Sequence, residues 1–449
     1  MKRFLLLVFL SGWFAVSPAR AQNPNTPWLP VGLNGETGPV GNLGQSEEND
    51  LTLGLSVSGA YYGASSTNTG QEDLGSYSVA PNLAITENRP RTSFALRYSP
   101  GYADTQQTGS TLTQNLVANF QFRISEKLTL QVGERYLRTN SWFPGLDANS
   151  TAGPGNVIQQ PNQSVLTTET LIANNFTNLN LVYQASDSTV AGVGGSFNTG
   201  NFSNVVTALN QSLFDNNAGT ASVYVQHRVQ GNNWLGITGS VQRIVTTGGV
   251  KEGADNASVQ LFYTFAPSAH TSLSLFAGPS YFTSQAETEI IISILGVPVP
   301  IPVTIPSKGW GANGGATAGW RSQRTGVNAV YTHRISDGGG LTGATRSDGV
   351  TINFRRQLSE RWTANTMMLY GKDNSVSILY GGSFRMITGT ASLNWMLTRN
   401  LSAVLSYGRD HLSNSFDSTL SGPGITAQTF DDNRAWVSIS YQFTRPLGR

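Results

Sequence analysis

The last strong hydrophobic run of the chain, residues 433–443, alternates almost without error. Ala435, Val437, Ile439, Tyr441 and Phe443 fall on one side; Arg434, Ser438, Ser440 and Gln442 fall on the other, and Trp436 is the exception. A β-strand has a side-chain period of two, so such a segment has one apolar face and one polar face. The pattern recurs along the whole chain, with no helical segment between its copies. A sheet closed on itself, apolar outside and polar inside, is the way a β-protein spans a bilayer, because it leaves no backbone polar group unpaired in lipid.

The start of the chain agrees. Lys2 and Arg3 precede an apolar run over residues 4–16, and Ala19-Arg20-Ala21 is a small-residue cleavage site. This is the grammar of a secretion signal over residues 1–21, with Gln22 as the first residue of the processed chain. The 449 residues contain no cysteine, so no lipid-attachment cysteine, disulfide framework or thiolate metal site is available. Charged residues make up 12%, about half the usual share of roughly 25%. A soluble domain so poor in charge would carry a larger apolar core than 39% hydrophobic residues supply. A barrel needs only one outward apolar layer and can line its lumen with Ser, Thr, Asn, Gln and Gly. Without Lys2, Arg3 and Arg20 the net charge falls from +2 to about −1, which excludes a general nucleic-acid or anionic-surface binder.

Punctuation sets the strand number. Eight short polar turns are read at residues 87–90, 125–127, 185–188, 230–233, 266–270, 322–324, 359–361 and 398–400. Nine longer Gly/Ser/Asn/Asp-rich segments are read near 64–76, 101–110, 139–165, 198–218, 246–255, 283–308, 335–348, 371–385 and 408–431. Short turns on one side and long loops on the other mark outer-membrane barrels. The expected fold is all-β, a transmembrane antiparallel barrel of about eighteen strands, or sixteen if one hairpin stands outside the membrane. Residues 22–50 are read as a flexible periplasmic lead-in and residues 51–449 as the barrel. Parity assigns to lipid, among others, Phe94, Leu96 and Tyr98; Leu116, Ala118, Phe120 and Phe122; Val259, Leu261, Tyr263 and Phe265; and Leu401, Ala403, Leu405 and Tyr407. A soluble propeller or solenoid would show a fixed repeat, and none is present.

Three strand–turn–strand stretches carry a resemblance: Phe122-Arg-Ile-Ser-Glu-Lys-Leu-Thr-Leu130, Phe354-Arg-Arg-Gln-Leu-Ser-Glu-Arg-Trp362 and Trp395-Met-Leu-Thr-Arg-Asn-Leu401. From about residue 51 onward the chain resembles Gram-negative outer-membrane β-barrel porins, including those linked to exopolysaccharide secretion. The resemblance is one of style, without a specific motif. It implies residence in the cell outer membrane, contact with outer-membrane lipid and insertion by the barrel-assembly machinery. The final aromatic signal Tyr441-Gln442-Phe443 departs from the usual pattern, because Thr444 to Arg449 follow it.

Catalysis finds little support. Asp410-His411 and Asp431-Asp432 are read as loop residues, no nucleophile elbow, zinc signature or EF-hand loop occurs, and no cofactor, metal or nucleic acid is expected. The lumen says more. Arg97, Arg123, Arg135, Arg228, Arg321 and Arg355 all fall on the polar parity, where acidic residues are scarce, and are the expected pore-lining set. Four of them, Arg123, Arg228, Arg321 and Arg355, lie near short turns and are expected to gather at the periplasmic mouth. Arginine in a pore wall favours anions; pairing with loop carboxylates is the plainer alternative. Two segments resist the scheme. Glu134 has lipid-facing parity, which calls for a bulge or for a strand standing above the membrane. Residues 289–306 are apolar but carry Pro298, Pro300, Pro302 and Pro306, which rule out a helix. An extended hairpin or loop outside the wall is expected there, folding back on the barrel, entering the lumen, touching the membrane or binding a partner. The functional expectation is a channel for small hydrophilic solutes, biased to anions or acidic saccharides. A barrel assisting polysaccharide secretion and a non-conducting surface barrel that binds a partner through its loops remain open.

Overall fold

The computed structural model describes residues 49–447 apart from 67–69, 106–108, 140–170, 203–214, 248–251, 269, 295–296, 337–343, 377–381 and 417–428. The proposed signal at 1–21 and nearly all of the lead-in at 22–50 lie outside the described residues. What remains is eighteen antiparallel strands. The first nine are β1 (Asp50–Ser66), β2 (Gly70–Asn88), β3 (Thr92–Thr105), β4 (Gly109–Arg123), β5 (Leu128–Thr139), β6 (Ile172–Ser186), β7 (Thr189–Phe202), β8 (Asp215–Gln230) and β9 (Asn233–Thr247). The second nine are β10 (Glu252–Ser268), β11 (Thr271–Ile294), β12 (Val297–Arg321), β13 (Thr325–Ser336), β14 (Thr345–Gln357), β15 (Trp362–Ser375), β16 (Gly382–Met396), β17 (Leu401–Phe416) and β18 (Thr429–Pro446).

Each strand pairs with its neighbours in sequence, and β1 pairs with β18 over its full length, so the sheet is a closed ring. Leu53 lies opposite Phe443 and Leu55 opposite Tyr441 at the seam. Followed through the pairings, the register closes with a stagger of about 22 residues, which at roughly 3.3 Å per residue and roughly 4.8 Å between strands corresponds to a tilt of about 40°. That is the tilt of outer-membrane barrels, and it makes each residue climb about 2.5 Å along the barrel axis. All eight short turns fall between strands at one end, and the other nine connections, of widely varying length, at the opposite end. The strands run further into the long connections than the sequence suggested, because Gly, Ser and Asn are compatible with a strand that has left the membrane.

The turns repeat one device. The Ser125 hydroxyl accepts the N–H groups of Lys127 and Leu128. Ser359 does the same for Arg361 and Trp362, and Thr398 for Asn400 and Leu401. A short hydroxyl side chain thus satisfies donors that a tight turn would leave unpaired. The two-residue turn after β8 uses Gly231 with φ 55°, a conformation that disfavours residues bearing a Cβ.

Parity holds around the ring. Leu53, Leu55, Val57, Phe120, Val223, Leu261, Leu275, Ile387, Leu405, Val437 and Ile439 all face outward and are exposed. Aromatic residues mark the ends of this belt: Trp362 stacks on Trp395 (5.1 Å between centroids) beside the short turns, and Tyr281 meets Trp310 (5.1 Å) towards the long loops. Glu134 corrects the sequence expectation. The β4–β5–β6 register runs through it without a bulge, and it lies well within β5, so the carboxylate does face outward inside the belt. The Thr177 hydroxyl donates to its Oε2 at 2.5 Å.

The segment at residues 289–306 is a hairpin arm. β10 accompanies β11 only as far as Ala286, and β13 accompanies β12 only from Gly314 onward, while β11 and β12 stay paired out to Ile294 and Val297. Pro298, Pro300, Pro302 and Pro306 share one parity. Since β12 remains bonded to β11, their missing N–H groups all fall on its outer edge. That edge offers carbonyls without the matching donors, which blunts it against pairing with another strand.

Inside the ring, large side chains lie flat along the concave wall over glycines of the adjacent strand. Tyr224 covers Gly192, Phe262 covers Gly236, Phe276 covers Gly315 and Phe282 covers Gly309. A Cβ on Gly192 would stand 2.5 Å from the Tyr224 ring, and one on Gly309 3.0 Å from Phe282. Phe262 is only 1% exposed as a result. Overpacking of this kind costs about 1–3 kcal/mol. Gly192→Val and Gly236→Val are therefore expected to lower the temperature at which the barrel loses its compact, fast-migrating form on unheated gels. Gly253→Val, where a new side chain meets nothing within 4 Å, should leave it unchanged. Equal melting of all three variants would show that the rings move aside freely.

Candidate functional site: the inner wall

The inward face is polar between its aromatic seats. Hydroxyl pairs join neighbouring strands: Ser240 with Ser258 (2.8 Å), Thr264 with Ser274 (3.0 Å) and Ser402 with Ser440 (3.2 Å). Asn178, Asn180, Asn198, Asn216, Gln226 and Gln260 are buried in the same layer. Trp436, the exception in the alternation of β18, stays on this face and is buried.

All six arginines singled out by parity stand on the inward register. Two pairs form across one intervening residue. Arg97 and Arg135 flank Val117, and Arg321 and Arg355 flank Gly326. Because Gly326 has no side chain, nothing separates the last two guanidinium groups within their row. Arg228 stacks over the Trp234 ring at 5.4 Å from its centroid and donates to the Asp187 carbonyl. The expected gathering at the mouth is thus only partly right. Arg123, Arg228, Arg321 and Arg355 do share the short-turn end, but β4, β8, β12 and β14 distribute them round the ring, and only Arg321 and Arg355 are near neighbours. Among the described residues, no ion pair engages Arg97, Arg123, Arg321 or Arg355.

Inward carboxylates are present, contrary to the impression of scarcity, but they lie elsewhere. Glu252, Asp373, Asp410 and Asp432 are all buried towards the long loops. Asp410 and Asp432 face each other across β17 and β18, and Arg434 joins them. Its Nη2 lies 3.7 Å from Asp410 Oδ2, and its Nε donates to Asp432. Arg434 is 3% exposed. The sequence holds the signal, since Asp410, Asp432 and Arg434 share the polar parity of one hairpin, but the sequence reading places Arg434 on the last strand and the two carboxylates in the loop before it. The same alternation splits two adjacent pairs. Asp410 faces in while His411 faces out, and Asp432 faces in while Asp431 faces out. His411 Nδ1 instead lies 3.0 Å from Asp431, with Arg409 at 3.7 Å from the same oxygen. Among the described residues, no group of three His, Asp or Glu side chains could hold a metal ion.

No protein-family model and no curated protein matches the chain. Solved structures resemble it. The Escherichia coli ferric-catecholate import receptor Fiu is 9% identical, with a TM-score of 0.42 over 87% of this chain and 81% of the receptor. Pseudomonas aeruginosa OccK2 is 11% identical, with a TM-score of 0.41 over 88% and 98%. Acinetobacter baumannii OccAB4 is 13% identical, with a TM-score of 0.38 over 88% and 99%. These likenesses bring no solute or mechanism to this chain. The closed ring, its outward apolar belt and its two aromatic rims decide the class. The chain is a closed eighteen-stranded β-barrel of the membrane-spanning kind.

The Arg434 cluster sets a stability test. Removing one partner of a buried ion group leaves the other uncompensated, at a cost of about 3–5 kcal/mol. Arg434→Met is expected to lower the urea midpoint clearly, and adding Asp410→Asn with Asp432→Asn should recover most of the loss. A wild-type midpoint for Arg434→Met would mean that water already compensates both carboxylates.

Proposed function

We propose that the protein is an outer-membrane channel that passes small hydrophilic solutes and favours anions, including acidic saccharides. Eighteen strands enclose a lumen wider than one layer of wall side chains fills. The observation that carries the charge preference is the separation of inward charges along the barrel. The short-turn end presents Arg123, Arg228, Arg321 and Arg355, with Arg97 and Arg135 higher on the same face, and among the described residues Asp50 is the one acidic residue of that register near the same end. The inward carboxylates of the other half include two already engaged by Arg434. Guanidinium stays charged at any physiological pH and matches a carboxylate or phosphate with two parallel donors. Lumenal charges act through water and salt, so the bias is graded and does not exclude cations.

Reversal potentials across a KCl gradient test this. The wild type is expected to prefer chloride several-fold, and replacing Arg123, Arg228, Arg321 and Arg355 together by Gln should bring the potential close to zero. Cation preference in the wild type, or an unchanged potential in the quadruple variant, would refute the reading. One observation favours a surface role beside conduction. The β11–β12 arm stands clear of its neighbours, with Trp310 74% exposed at its base. A folded barrel without any single-channel conductance would make that role the primary one. A role in polysaccharide secretion rests on the resemblance of the sequence.

A further inference from the structure

The outer surface of β15–β17 carries a feature that conduction does not use. Lys372 and Arg385 lie directly opposite each other on β15 and β16, both on the outward parity. Like charges in that position repel and destabilise a strand pair. Neither has an ion-pair partner among the described residues. The carboxylate nearest in register, Asp348 on β14, is turned towards β13, where it meets His333 Nδ1 at 2.7 Å and accepts from the Tyr331 hydroxyl at 3.0 Å. A third outward cation, Arg409, follows on β17, shared with Asp431 at 3.7 Å.

Position along the axis is the second observation. Lys372 lies about ten residues above Trp362, and Arg385 about ten above Trp395. At about 2.5 Å of climb per residue, the two cations stand roughly 25 Å above the stacked tryptophans of the short-turn rim, which is the height of the apolar band itself. They therefore sit at the headgroup level of the outer leaflet. Directly below them the wall is hollowed. Gly389 and Ala391 form the floor on β16, and a Cβ on Gly389 would meet nothing within 4 Å. Gly389 lies between Met368 on β15 and Arg409 on β17, and Ala391 between Thr366 on β15 and Tyr407 on β17, with Met368 and Tyr407 exposed. A floor of small residues running between Met368 and Tyr407 suits an acyl chain, and the two cations above it suit a phosphate.

We infer that this face binds a phosphorylated glycolipid of the outer leaflet. Lys372 and Arg385 hold its phosphate, Arg409 stands lower, opposite Gly389 and shared with Asp431, and an acyl chain lies over Gly389 and Ala391. A bound phosphate also relieves the repulsion between Lys372 and Arg385, so lipid binding and wall stability are coupled.

The test uses the full chain, purified in detergent, with bisphosphorylated lipid A and its dephosphorylated form as probes, read by native mass spectrometry. The wild type is expected to retain the phosphorylated lipid and release the dephosphorylated one. Lys372→Gln combined with Arg385→Gln should cut retention by about tenfold or more, the loss that one charge-assisted hydrogen bond represents. Gly389→Leu should also weaken it, with the charges untouched. Arg356→Gln, outward at the short-turn end, should not. Equal retention of both lipids, or full retention by the double variant, overturns the assignment. So does complete displacement of lipid A by millimolar inorganic phosphate, which would make this a site for a soluble anion. If the double variant does not assemble, as judged by gel migration before and after heating, the comparison of the two lipids on the wild type decides alone.

Discussion

A bilayer offers no partner for a backbone N–H or C=O, and the whole structure depends on that constraint. Closing the ring between β1 and β18 satisfies it, since an open sheet would expose two rows of unpaired groups to lipid. Strand number, tilt and stagger then follow together, and the lumen is a consequence of closure at eighteen strands. The arm formed by β11 and β12 obeys the same rule outside the membrane. Where it leaves its neighbours, prolines remove donors from one of its two free edges, so the most exposed part of the sheet is protected chemically.

Closure also forces every strand to serve two solvents. Outward positions follow hydrophobic transfer, and inward positions follow hydrogen bonding and crowding on a concave wall. The concave side explains the glycines. Rings at Tyr224, Phe262, Phe276 and Phe282 lie flat only because the neighbouring strand offers no Cβ beneath them. Glu134 marks the limit of the outward rule. Its carboxylate stays in the belt with a Thr177 hydrogen bond and, among the described residues, no ion-pair partner, an arrangement that pattern alone treats as an error.

Charge is distributed by the same geometry. Unpaired inward arginines lie towards the short turns, most inward carboxylates lie towards the long loops with Arg434 among them, and Lys372 and Arg385 mark the outer rim where the apolar belt ends. A residue and its sequence neighbour can belong to different faces, as Asp410 and His411 do. The function read from the wall therefore depends on parity at least as much as on composition.

The sequence by itself determined a great deal: the number of strands, the position of all eight turns and the alternation that turns one face to lipid. Each of these is local. A period of two and a Ser or Thr at a turn can be read within a dozen residues, whatever the rest of the chain does. Only the tertiary structure decided which inward residues meet. Arg321 reaches Arg355 across Gly326, Asp410 meets Asp432 and Arg434, Lys372 opposes Arg385, and Leu53 lies against Phe443 nearly four hundred residues away. These meetings depend on register, and register is set jointly by turn length, stagger and ring closure. The length of the arm was undecided for the same reason. Alternation continues past the membrane boundary, and only the point where β10 and β13 stop pairing shows where the wall ends.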